Sequence, residues 1–107
     1  MTEREEFELV AKAAGYEYVC KKGDLHLLRD EYKLVVWKPK TDDGDCLRLA
    51  VNLGIDLVFY EEVVKASQWE LKIAEDKIFS DHPDKYAAVR AAVWDVAVEV
   101  AKRRMKK

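Results

Sequence analysis

Residues 37–53 read W-K-P-K-T-D-D-G-D-C-L-R-L-A-V-N-L, and no other stretch says more about the fold. Pro39 cannot donate to a β ladder, so it closes the apolar run Leu34-Val35-Val36-Trp37, which reads as a central strand covered on both faces. Asp42 and Asp43 follow as N-cap candidates, where acids also suit the positive end of a helix. Cys46, Leu49, Ala50 and Leu53 then recur with helical period and mark a buried stripe. Asp45, Arg48 and Asn52 fall on the opposite, wet side. Gly54 ends the helix, since glycine takes the left-handed conformation without penalty.

Working outward, Thr2 and Glu5 fit a capping box. Phe7, Val10, Ala11 and Ala14 give the next helix a one-sided apolar stripe, which Gly15 terminates. Tyr16 to Cys20 is β-rich, Lys22-Gly23-Asp24 is a turn, and Leu25–Arg29 and Tyr32–Trp37 read as strands around a tight Asp30-Glu31 turn. Downstream, Ile55–Tyr60 is a strand. Val63 to Ile73, with Val64, Ala66, Trp69, Leu71 and Ile73, is read as one or two strands. Asp81-His82-Pro83-Asp84 starts the last helix, with Asp81 or His82 at the cap and Pro83 in the first turn.

That helix, Tyr86–Lys102, carries two apolar stripes. One is Tyr86, Val89, Val93, Val96 and Val100, and the other is Ala87, Ala91, Trp94, Val98 and Ala101, with Asp95, Glu99 and Lys102 on the remaining polar face. So wide an apolar arc implies burial on more than one side or a partner. The expected fold is α+β: three helices on a mainly antiparallel sheet of four to five strands, a layered α/β/α sandwich in a single domain spanning 1–107.

The block from Trp37 to Val51 resembles the W-N-P-L-x-D-D-G-D-A-L-R-L-A-V signature of the phage ABA-sandwich domain family, small proteins of tailed phages and prophages. It matches at Trp37, Pro39, Asp42, Asp43, Gly44, Asp45, Leu47, Arg48, Leu49, Ala50 and Val51. D-K-Y-A-A-V-R-A-A-V, from Asp84 to Val93, is similar to the family's D-P-Y-A-A-x-R-x-A-I and includes Arg90. Lys38, Lys40 and Cys46 depart from the pattern. The resemblance implies an α/β/α sandwich of phage origin and no particular activity.

Half of the 107 residues are hydrophobic and 37% are charged, with net charge −2. That balance suits a folded domain and lacks the footprint of a nucleic-acid binder. The acidic start M-T-E-R-E-E-F is unlike a secretory signal, no apolar run spans a membrane, and the expected location is the host bacterial cytoplasm. Cys20 and Cys46 are expected to be free and buried.

The residues that invite chemistry have bland readings beside them. Asp42, Asp43 and Asp45 offer clustered oxygens for a divalent cation or a nucleotide site with Arg90, but their spacing is not that of a calcium loop. A capped turn pinned by Arg48 and Arg90 explains them as well, with Arg90 reaching Asp42 or Asp43. His82 among Asp81 and Asp84 is read as a helix-start residue rather than a general base. Ser67 and Ser80 lie in no nucleophile motif. Lys102, Arg103, Arg104, Lys106 and Lys107 complement a helix end, and the rival reading is nucleic-acid contact. No catalytic set and no cofactor loop is present, so the chain is expected to be a non-enzymatic accessory protein that binds a protein partner, or itself as a dimer. Trp69, Trp94 and Val98 are the candidate interface.

Overall fold

The computed structural model describes residues 2–21, 23–29 (without the Arg29 side chain) and 33–105. Helix α1 spans Glu3–Ala13, and the Thr2 hydroxyl accepts the Glu5 N–H at 3.1 Å, as the capping pattern requires. Gly15 takes φ +79° just beyond it. Strands β1 (Tyr18–Lys21), β2 (Asp24–Arg29) and β3 (Lys33–Val36) form an antiparallel sheet in that order. Leu25 and Leu27 of β2 enter the core. The central-strand reading of Leu34-Val35-Val36-Trp37 is corrected here: β3 is an edge strand and Leu34 is 41% exposed. The apolar run serves one face only, and Trp37, just past the strand, carries its burial. The expected turns involving Lys22 and Asp30-Glu31, and Tyr32, lie outside the described residues.

Helix α2 spans Asp43–Leu53, and Gly54 ends it at φ +70°. Strands β4 (Ile55–Phe59), β5 (Val63–Gln68) and β6 (Ile73–Ile78) form a second antiparallel sheet in that order. The chain is thus α+β with three helices and two three-stranded antiparallel sheets among the described residues, in place of one sheet of four to five strands. The Pro39 turn and α2 separate β3 from β4, and no ladder joins them. β6 was hidden in the sequence because its middle, Glu75-Asp76-Lys77, shows no apolar alternation. Gln68 is buried at the end of β5, where its side-chain oxygen accepts the Leu71 N–H at 2.9 Å and stabilises the turn to β6.

Helix α3 spans Lys85–Met105 after a 3₁₀ turn at Phe79–Asp81. Its cap is neither Asp81 nor His82: the Asp84 carboxylate accepts the Ala87 N–H at 2.8 Å. Pro83 fixes the approach one residue earlier, because a residue preceding proline is steered away from helix. α3 packs against α1, α2 and the second sheet, so Ala88, Ala92, Val93, Trp94, Val96, Ala97, Val98, Val100 and Ala101 are all buried. Lys77 reaches Asp95 at 2.6 Å, tying β6 to α3. The hydrogen bond to Asp95 raises the Lys77 pKa above its ordinary 10.5.

An aromatic cluster joins α1 to α3. Phe7 stacks tilted on Trp94 with centroids 4.7 Å apart, and Trp37 meets Phe7, Tyr16 and Trp94 edge-on at 5.8, 5.6 and 6.2 Å. α1, the end of β3 and α3 are held together there.

Candidate functional site

The three carboxylates of the 42–45 turn do not converge. Asp42 sits at φ −111°, ψ 120° as the N-cap of α2 and accepts the Asp45 N–H at 2.8 Å. Asp43 points outward to Arg90, Nη1 to Oδ1 at 2.5 Å, while the same guanidinium donates through Nε to the Lys40 carbonyl at 3.0 Å. Arg90 therefore pins α3 to the start of α2, as the sequence suggested, through one carboxylate oxygen of Asp43 and the Lys40 carbonyl.

Asp45 corrects its own expectation: it is 5% exposed, not on the wet side. One oxygen accepts the Lys38 N–H at 2.9 Å and the other the Arg48 Nη2 at 2.8 Å. Two charge-assisted bonds stabilise a carboxylate that burial would otherwise penalise. Gly44 keeps the turn close-packed beside them: a Cβ there would stand 3.3 Å from both Arg48 Nη2 and Asp42 Oδ2, which would have to give by a few tenths of an ångström. Trp37 and Pro39 are buried under the turn. The signature residues Trp37, Pro39, Asp42, Asp43, Gly44, Asp45, Arg48 and Arg90 thus form one bracket around the start of α2.

The candidate interface divides. Trp94 and Val98 are buried beside α1, so they are core and not an open edge. α1 fills the arc the sequence left for a partner. Trp69 is 77% exposed in the turn between β5 and β6. His82 makes no hydrogen bond to Asp81 or Asp84 among the described residues; its backbone N–H donates to the Phe79 carbonyl at 3.2 Å. In the basic tail, Arg103 donates to the Leu71 carbonyl at 2.6 Å, and Lys106 and Lys107 lie outside the described residues. Both cysteines are free, but only Cys46 is buried; Cys20 is exposed, correcting the expectation. Neither face of β1 is well covered, since Val19 and Lys21 are exposed with it.

On the other flank of α2 lies an apolar groove of about 430 Å³. Cys46 and Ala50 are buried on its α2 side and Val93 on its α3 side, with Leu47, Leu57, Phe59, Tyr86 and Val89 around them. Phe59 is 63% exposed, Leu47 60% and Tyr86 67%, and Val51, 72% exposed, continues the apolar surface along α2. Lys85 stands at its end, Nζ 5.3 Å over the Phe79 ring. Burial pushes the Cys46 thiol from 9.0 up to about 11, against the lowering influence of nearby Arg90. A volume of this size with so apolar a lining is what a site for apolar side chains or a small apolar ligand offers.

Sequence reading missed this groove, although one signal was available. Leu47 and Val51 stand four residues apart, off the Cys46–Leu53 stripe, and so outside the face that the core needs. Tyr86 heads one of the two apolar stripes of α3 and stands exposed at the start of the helix. No helix among the described residues is long and apolar enough to cross a membrane. No family model, no curated protein and no solved structure matches the chain.

Proposed function

We propose that this chain is a small accessory protein of a tailed phage or prophage that works in the host cytoplasm by binding a macromolecular partner, and that it is not an enzyme. The groove between α2, α3 and β4 carries the binding reading: Leu47, Phe59 and Tyr86 expose apolar surface together around a concave floor. Exposed apolar residues scattered singly need no explanation, whereas a contiguous set around a cavity marks an interaction site. The phage origin, and with it the α/β/α layering of the family, rests on the signature resemblance from Trp37 to Val51 and Asp84 to Val93.

The metal- or nucleotide-binding alternative at Asp42, Asp43 and Asp45 draws less support, because each carboxylate already accepts from a named donor in the fold. The test is capture from lysates of phage-infected cells with the full chain as bait and a Leu47→Asp/Tyr86→Asp double variant as control. The expected result is one protein retained in stoichiometric amount by the wild type and lost by the variant. Equal retention by both would place the binding surface elsewhere, and the Trp69 turn would be next in line.

A further inference from the structure

One wall of the groove is a sheet edge. β4 is an outer strand, paired with β5 on one side only. The Tyr60 N–H donates to the Val63 carbonyl at 2.8 Å across the Glu61-Glu62 turn, which makes Tyr60 and Val63 a hydrogen-bonded pair. Hydrogen-bonded and non-hydrogen-bonded pairs alternate along an antiparallel ladder. Phe59 opposite Val64 and Leu57 opposite Ala66 are therefore non-hydrogen-bonded pairs, whose N–H and C=O groups point away from β5. The next hairpin agrees: the Phe79 N–H donates to the Glu62 carbonyl, one step out of phase with Val63, as the alternation demands. Among the described residues no other group takes up the outward donors and acceptors of Leu57 and Phe59.

These two residues also line the groove with their side chains. One stretch of β4 thus presents free backbone groups and an apolar wall at the same place. By the same count the outer edge of β6 presents Ala74, Asp76 and Ile78, and a charge on an edge discourages strand addition. β4 presents Ile55, Leu57 and Phe59, all apolar. At the groove's end Lys85 has no carboxylate partner among the described residues.

We propose that β4 is the acceptor edge for an extended segment of a protein partner, which adds to the sheet as a fourth strand. Main-chain bonds to Leu57 and Phe59 hold it, alternate apolar side chains enter the groove, and an acidic residue meets Lys85. Strand addition beside a side-chain pocket combines affinity from the backbone with specificity from the pocket. This rests on the binding reading above and names the class of partner.

The experiment selects peptides from a random ten-residue display library on the full chain, then titrates the best selected peptide, made synthetically, into ¹⁵N-labelled protein. Selected sequences should alternate apolar residues and include an acid. Amide exchange at Leu57 and Phe59 should slow about tenfold or more at saturation. Phe59→Pro removes an outward N–H that no ladder uses, so it should leave the fold intact and weaken binding about tenfold or more, while Phe59→Leu retains it. Lys85→Glu should weaken the acidic peptide by a similar factor.

Selection without alternation, unprotected Leu57 and Phe59 amides, or no selected peptide would overturn strand addition. So would a wild-type dimer that Phe59→Pro dissociates, since that edge would then serve a second copy. Should Phe59→Pro unfold the chain, amide protection in the wild type still decides. If these arms fail while the lysate partner is still lost on Leu47→Asp/Tyr86→Asp, the binding reading survives and only the strand mode falls.

Discussion

The acidic turn at the start of α2 and the groove along its flank share a helix and handle their surfaces in opposite ways. In the turn, side chains that look chemically active face one another: Asp42 caps, Asp45 accepts from Lys38 and Arg48, and Asp43 pairs with Arg90. In the groove, Leu47, Phe59 and Tyr86 look like core residues and stand exposed. Polar groups in a folded chain are satisfied locally wherever geometry allows, so a cluster of acids is first a folding device. Apolar surface has no such local remedy, and what the chain leaves uncovered is the better pointer to a partner.

The contrast would break first at the aromatic cluster that supports the turn from below. Trp94→Ala should cost about 3–5 kcal/mol in urea denaturation, the usual loss for a large core aromatic. A loss near zero would return Trp94 to the surface and revive it as an interface residue. Next, Asp45→Ala should cost about 1–3 kcal/mol, because it leaves the Lys38 N–H and Arg48 without their acceptor. Asp42→Ala should lose about 0.5–2 kcal/mol as a removed cap. Asp43→Ala, which breaks only a largely exposed pair, should stay below about 1 kcal/mol. If Asp43→Ala proved the costlier of the two, the cap assignment would be wrong.

The groove sharpens the comparison from its other side. Leu47→Asp and Tyr86→Ser should each change stability by no more than about 0.5 kcal/mol, since neither residue is buried. A large loss would make the groove a weak spot of the core instead of a prepared surface. The smallest effect concerns the thiols. Cys20 should react promptly with a thiol reagent in the folded chain, and Cys46 only as the chain unfolds. Because burial raises Cys46 from 9.0 to about 11, the unfolded chain releases that proton first as pH rises. Its stabilising contribution is whole below pH 9 and is lost between pH 9 and about 11, and Cys46→Ala should flatten that limb of the stability profile.

What the sequence determined by itself was local. The Thr2 cap, a cap at Asp42 or Asp43, the Gly15 and Gly54 stops and the Cys46–Leu53 stripe depend on near neighbours in the chain, and the structure has each of them, with Asp42 as the cap. The Arg90 link to the acidic turn was also within reach, because Arg90 is the one cation between the two ends of α3 and a surplus acid on α2 suggests a partner for it. The tertiary structure decided everything that required knowing which surfaces meet. Whether β3 and β4 share a sheet, whether α1 covers Trp94 and Val98, and whether Asp45 turns inward depend on packing across dozens of residues. Periodicity says that a face is apolar; only the placement of the neighbouring elements says whether it is covered. That is why Trp94, offered by the sequence as an interface residue, is core, while Tyr86, eight residues earlier on the same helix, stands exposed.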